Sequence, residues 1–101
     1  MSAIIVMGTI RLPADRVADA RAAMRAMVIA SRAEDGCIAY SYAEDVLDPG
    51  LIHVAERWRD RAALDRHFTT AHLAAWRAAW GELGIGDRRL MLFDVVGGEA
   101  T

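Results

Sequence analysis

The sequence predicts an α+β domain in which an antiparallel sheet carries helices on one face. Three observations lead there. Four short stretches are rich in Ile, Val, Leu and Tyr, residue types that suit a pleated, half-buried surface. Ala-rich stretches between them repeat apolar residues every three or four positions, the period of a helix face. The chain has 101 residues, 54% of them hydrophobic, which is enough for one core and too short for two.

Residues 3–12 (AIIVMGTIRL) form the first expected strand, which stops at Pro13. Ile5, Met7 and Thr9 share one face, and Ile4, Val6, Gly8 and Ile10 the other. Both faces are apolar, so both should be covered. Pro13 with Asp15 in the first turn opens a helix that runs to about residue 33. Its stripe is Val17, Ala20, Met24, Met27, Val28 and Ser31, and Gly36 ends it. Residues 37–46 (CIAYSYAEDV) are the second strand, with Ile38, Tyr40, Tyr42 and Glu44 on one face. Asp48-Pro49-Gly50 is a turn signal. Residues 51–59 (LIHVAERWR) are the third strand, with Ile52, Val54, Glu56 and Trp58 sharing a face.

Asp60 can cap a short helix through about residue 68, with Ala63, Leu64 and His67 turned inward. Thr69-Thr70 breaks it. Residues 71–83 form a further helix, with His72, Trp76, Trp80 and Leu83 on one stripe. A loop at residues 84–86 precedes a fourth strand over residues 89–96 (RLMLFDVV). The order is β-α-β-β-α-β, the ferredoxin-like arrangement, with the second helical part split in two. Helices shield one sheet face, yet the strands are apolar on both. A homodimer that buries the two free faces against each other is therefore expected.

Composition removes several function classes. All twelve basic residues are Arg, and there is no Lys, Asn or Gln. A Lys Schiff base and a catalytic carboxamide are thus excluded. The net charge of −2 argues against nucleic acid as a partner, and the aliphatic first strand lacks the aromatics of RNA-recognition sheets. The apolar run at residues 3–8 is far short of a membrane span, which needs roughly 18 residues. Arg11 comes after that run rather than before it, so a signal peptide is not indicated. A single cysteine, Cys37, fits a reducing compartment, and the cytoplasm is the expected location.

An ordered set of residues adds to this. Ser31, Glu34, Gly36-Cys37 and Tyr40 precede Asp48-Pro49, then residues 56–60 (ERWRD), then Ala63-Leu64, His67 and His72. This set resembles the antibiotic biosynthesis monooxygenase domain family over nearly the whole chain. The resemblance implies a dimeric α+β barrel with a pocket between sheet and helices of each subunit. Some members oxygenate phenols, quinols or aromatic polyketides with O2 and no cofactor; others degrade haem, isomerise small molecules or have no assigned activity. The haem-degrading pattern uses an Asn on the first strand, and this chain has none.

The implied chemistry needs an apolar pocket for a small aromatic substrate, a group that favours the substrate anion, and a proton donor for a peroxy intermediate. His67 and His72 are the candidate bases or donors, because imidazole titrates near neutral pH. Five residues apart, they would not share a face of one continuous helix, but the Thr69-Thr70 break can turn both inward. Glu56 sits on an apolar strand face, where a carboxylate needs a partner. It either orients His67 or forms a structural ion pair with Arg. A buried His67 bonded to Glu56 would equally serve to tie helix to sheet.

Trp58, Trp76 and Trp80 can wall a pocket; Trp76, one turn from His72, is the tryptophan expected there, whereas Trp58 and Trp80 fit the core better. Tyr40 and Tyr42 can donate to a substrate oxygen or pack across strands. Met7, Met91 and Phe93 are lining or core. Arg77 either meets an anionic oxygen or lies on a solvated helix face. His53, Glu56, His67 and His72 lack the i,i+4 spacing of a helical zinc site, so no metal is expected, and the resemblance implies no other cofactor. Three functions remain open: a cofactor-free oxygenase of a small aromatic, an isomerase of a small carbonyl compound, and a non-catalytic binding barrel.

Overall fold

The computed structural model describes residues 2–101. β1 (Ser2–Arg11) leads through a 3-10 turn (Ala14–Arg16) into α1 (Val17–Arg32). β2 (Cys37–Glu44), β3 (Leu51–Trp58), α2 (Arg61–His67), α3 (Ala71–Leu83) and β4 (Gly86–Val96) complete the chain order. The strands form one sheet in the order β2-β3-β1-β4, and every pairing is antiparallel. This is the ferredoxin-like α+β arrangement that the sequence predicts.

The two sheet faces differ sharply. The face bearing Ile4, Val6, Ile10, Ile52, Val54 and Trp58 is buried. Against it lie Val17, Ala20, Met24 and Met27 of α1, the stripe read from the helical period, and Ala63 and Leu64 of α2. The opposite face leaves Met7, Met91 and Phe93 at 52%, 62% and 40% exposure. Removing such apolar surface from water would yield about 25 cal/mol per Å².

Four local expectations change. The expected first helix begins as a 3-10 turn, and regular α-helix starts only at Val17. β2 stops at Glu44, two residues early, because Asp45 caps the next turn by accepting from the backbone N–H groups of Leu47 and Asp48. Ile38 does not share the Tyr40 face: the register shifts between Cys37 and Ala39, and Ile38 is 53% exposed. β4 starts at Gly86 rather than Arg89. Gly84, in the left-handed region at φ 74°, closes α3, and the Ile85 N–H bonds to the Trp80 carbonyl at 2.9 Å, so pairing with Arg11 begins at once.

Gly36 permits a close approach between the turn after α1 and α2. It sits at φ 86°, and a side chain there would collide with Ala63 of α2. Without one, the turn lies directly against that helix. Among the described residues, no helix is long and apolar enough to cross a membrane.

Candidate functional site

The break between α2 and α3 is built from short side chains. Asp60 starts α2 by accepting from the Ala63 N–H at 2.9 Å. The Thr69 and Thr70 hydroxyls donate to the Arg66 and His67 carbonyls, each at 2.7 Å, which uses up the last acceptors of α2. Thr70 Oγ1 then caps α3 by accepting from the Leu73 N–H at 3.4 Å. The chain changes direction within two residues. His67, at the end of α2, and His72, in the first turn of α3, face each other with ring centroids 6.1 Å apart.

Between them reaches Glu34, from the turn after α1. Its Oε2 lies 2.6 Å from His67 Nδ1 and 2.8 Å from His72 Nε2. A carboxylate only accepts, so both nitrogens donate. The His67 proton thus sits on Nδ1, and its Nε2 is free as an acceptor. The Tyr40 hydroxyl lies 3.4 Å from that Nε2. Burial holds His67 below its ordinary pKa, with Glu34 pulling the other way. The ring is therefore neutral near pH 7. Trp58 packs on it at 4.7 Å between centroids.

His67 forms part of the wall of a cavity of about 100 Å³ between the sheet and α2–α3. Tyr40, Tyr42 and Glu56 line the sheet side, Phe68, Leu73, Arg77 and Trp80 the helix side, and Arg88 with Leu90, Met91 and Leu92 the β4 edge. Tyr40 and Tyr42 stack at 5.7 Å and 17°. Burial pushes both hydroxyls well up from the ordinary phenol value, so both stay protonated as donors. Glu56 is only 6% exposed, and burial raises its carboxyl to about 7. Its Oε1 accepts from Trp58 Nε1 at 3.0 Å.

The structure thus brings His67, Glu56, Tyr40 and Tyr42 to one cavity. Other expected site residues lie elsewhere. His72 bonds Glu34 and does not line the cavity. Glu56 does not orient His67; Glu34 does that, and Glu56 is bound to Trp58 instead. Trp58 sits beneath His67 and is fully buried. Trp76 and Trp80 exchange the expected roles. Trp76 is core, edge-on to Tyr42 and to Trp80, while Trp80 lines the cavity. Met7 and Phe93 point to the uncovered sheet face, because they pair with Met91 and Ile5 on the pleat opposite Val6 and Leu92.

Two site residues escape sequence reasoning. Glu34 belongs to a turn, and only the tertiary approach of that turn to α2 reveals it; its place beside Gly36-Cys37 in the ordered set is the available signal. Arg88 falls in a loop when β4 is started too late.

Glu34, His67 and His72 offer donor atoms that all lie within 4.8 Å of one another, and two imidazoles with one carboxylate suit a divalent transition metal. The 2.6 and 2.8 Å separations are those of N–H···O hydrogen bonds. The grouping replaces the one considered from sequence. His53 is remote from it, bonded to Asp45 at 2.7 Å, and Glu56 is committed to Trp58.

Comparison with known proteins places this architecture. The family model described as antibiotic biosynthesis monooxygenase matches residues 3–79. A Mycobacterium tuberculosis protein, Rv0793, named as a candidate monooxygenase, is 45% identical over 69 residues, covering 64% of this chain and 67% of its own length. An uncharacterized Synechocystis protein is 39% identical over 69 residues, covering 68% of this chain and 47% of its own length. The chain thus spans about half of that second relative. Among solved structures, a candidate antibiotic biosynthesis monooxygenase from Deinococcus radiodurans aligns with a TM-score of 0.81 at 28% identity, covering 97% of this chain and 95% of the other. The solved structure of Rv0793 aligns with a TM-score of 0.75 at 29% identity, covering 99% and 98%. With the family model covering most of the chain and full-length structural agreement, the chain belongs to the antibiotic biosynthesis monooxygenase family.

Proposed function

We propose that the protein is a cofactor-free monooxygenase that oxidises a small phenol or quinol with O2, with His67 as its base. The observation that supports this most is a buried, neutral imidazole whose Nδ1 is committed to Glu34 and whose Nε2 faces the Tyr40 hydroxyl at the wall of a small cavity. The family and the name of the tuberculosis relative point the same way.

In this reading His67 Nε2 removes the phenolic proton, and the Tyr40 and Tyr42 hydroxyls donate to the phenolate oxygen. The phenolate passes one electron to O2, and the radical pair closes a C–O bond at the ring carbon para to the oxygen. The peroxide takes a proton from Glu56, and loss of that carbon's proton then breaks the O–O bond and expels hydroxide. The ring becomes a quinone, and the departing hydroxide takes a proton to leave as water. Phenol plus O2 thus gives quinone plus water, with the substrate supplying all four electrons. Glu56, half protonated near pH 7, is the donor for the departing oxygen. Glu34 positions His67, and His72 holds Glu34. Trp58 and Trp76 brace His67 and Tyr42 from behind. A cavity of about 100 Å³ favours one aromatic ring over a polyketide.

A homodimer formed through the Met7, Met91 and Phe93 face and a cytoplasmic location complete the proposal. The test is oxygen consumption by metal- and flavin-free protein with a panel of phenols bearing hydrogen at the para carbon and an anthrone, run in ¹⁸O2. One labelled oxygen in the quinone, and uptake that His67→Ala abolishes, are expected. No uptake, or equal uptake by His67→Ala, overturns the reading.

One observation favours a second reading, isomerisation of a carbonyl compound: His67 and Glu56 line the same cavity, and Glu56 titrates near neutral pH. Deuterium exchange beside a substrate carbonyl without oxygen uptake would select it.

A further inference from the structure

We propose that the cavity takes an aromatic hydroxy acid, its phenolic end toward Tyr40 and His67 and its carboxylate held at the mouth by Arg77 and Arg88. The phenolic end rests on the oxygenase reading; the carboxylate end does not.

The arginines show which cations are spare. Among the described residues, Arg11, Arg16, Arg21, Arg59, Arg61, Arg66 and Arg89 each pair with a carboxylate, and Arg32 donates to the Tyr40 carbonyl. Arg25, Arg57, Arg77 and Arg88 have no such partner, and of these four Arg77 and Arg88 border the cavity, from α3 and β4. Arg77 is held over the Trp80 ring at 5.8 Å.

The mouth therefore presents guanidinium donors from Arg77 and Arg88. Among the described residues Glu56, on β3, is the one carboxylate that lines the cavity; its Oε1 accepts from Trp58, and Arg77 and Arg88 act on it through space without a hydrogen bond. An anionic acceptor there gains charge-assisted hydrogen bonds, which are shorter and stronger than neutral ones. Size agrees. A cavity of about 150 Å³ accommodates benzene, so one of about 100 Å³ cannot enclose a substituted ring, and the substituted end must project through the mouth.

The experiment compares 2,5-dihydroxybenzoate with its methyl ester, which keeps the ring and hydroxyls and removes the charge. Binding is measured by calorimetry without oxygen, on wild type and on the Arg77→Gln/Arg88→Gln double variant. Both positions are exposed, so the variant should fold. The acid is expected to bind wild type about tenfold tighter than the ester, and that preference should fall below about twofold in the variant while ester affinity holds. Equal or tighter ester binding, a preference that survives in the variant, or no binding of either compound overturns the proposal. An acid that binds but is never oxidised would sink the oxygenase reading and leave the carboxylate site standing. An ester oxidised in preference to the acid would do the reverse.

Discussion

Replacing Glu56 with Gln should stabilise the protein, and by an amount that depends on pH. Burial raises this carboxyl from 4.5 to about 7. The folded state therefore binds the proton more tightly than the unfolded chain. Its contribution is intact below pH 4.5, declines as pH rises, and is fully lost above pH 7. At about 1.4 kcal/mol per pKa unit, the ionised form destabilises the fold by about 3 kcal/mol at pH 8. Glutamine has the same shape and keeps a carbonyl to accept from Trp58 Nε1, but it never ionises. Glu56→Gln and wild type should therefore match near pH 4.5 and diverge to that difference by pH 8. For a domain of this size the divergence is on the order of 10 °C in Tm. His67, shifted down by burial, costs stability as pH falls below 6.5. That slope is common to both proteins and cancels in the difference. Urea and thermal unfolding at several pH values supply the test. Parallel stability curves from pH 4.5 to pH 8 would refute the burial argument.

Other consequences are sharp enough to measure. Glu34→Gln removes the charge that raises the His67 pKa, so the acid limb of any pH–rate profile should move to lower pH, while the amide oxygen can still accept from both histidines, which share one oxygen of Glu34; an unmoved limb would remove Glu34 as a positioning residue. Thr70→Ala loses the cap on α3 and the bond to the His67 carbonyl; a loss of about 1 kcal/mol is expected in chemical unfolding, and an unchanged midpoint would mean the break holds without it. Met7→Glu places a charge on the uncovered sheet face and should turn a sedimenting dimer into a folded monomer, since Met7 is half exposed in the isolated chain; wild type that already runs as a monomer at micromolar concentration ends the dimer proposal.

The strands and helices are legible in the sequence because their periods are carried by local side chains. Ile52, Val54, Glu56 and Trp58 alternate, and all four are buried. The Thr69-Thr70 break is legible for the same reason, since hydroxyls at a helix end compete locally for backbone groups. The features that stay hidden depend on contacts distant in sequence. Glu34 and His67 are 33 residues apart, and nothing in either stretch announces the other. Trp76 and Trp80 lie one turn apart on α3, so helical period puts both on the stripe but does not say which meets the core and which the cavity. Ile38 is misplaced by simple alternation because a β-bulge inverts that alternation without changing composition.

The most direct test of His67 as the base is its tautomer. Nitrogen-15 NMR of the histidine side chains at pH 7 should show a neutral His67 with the proton on Nδ1 and a bare Nε2, and the pattern should shift when Glu34 is replaced by Gln. A His67 that is protonated on both nitrogens, or that carries its proton on Nε2, would have no free ring nitrogen toward Tyr40 and the cavity and would contradict the assignment.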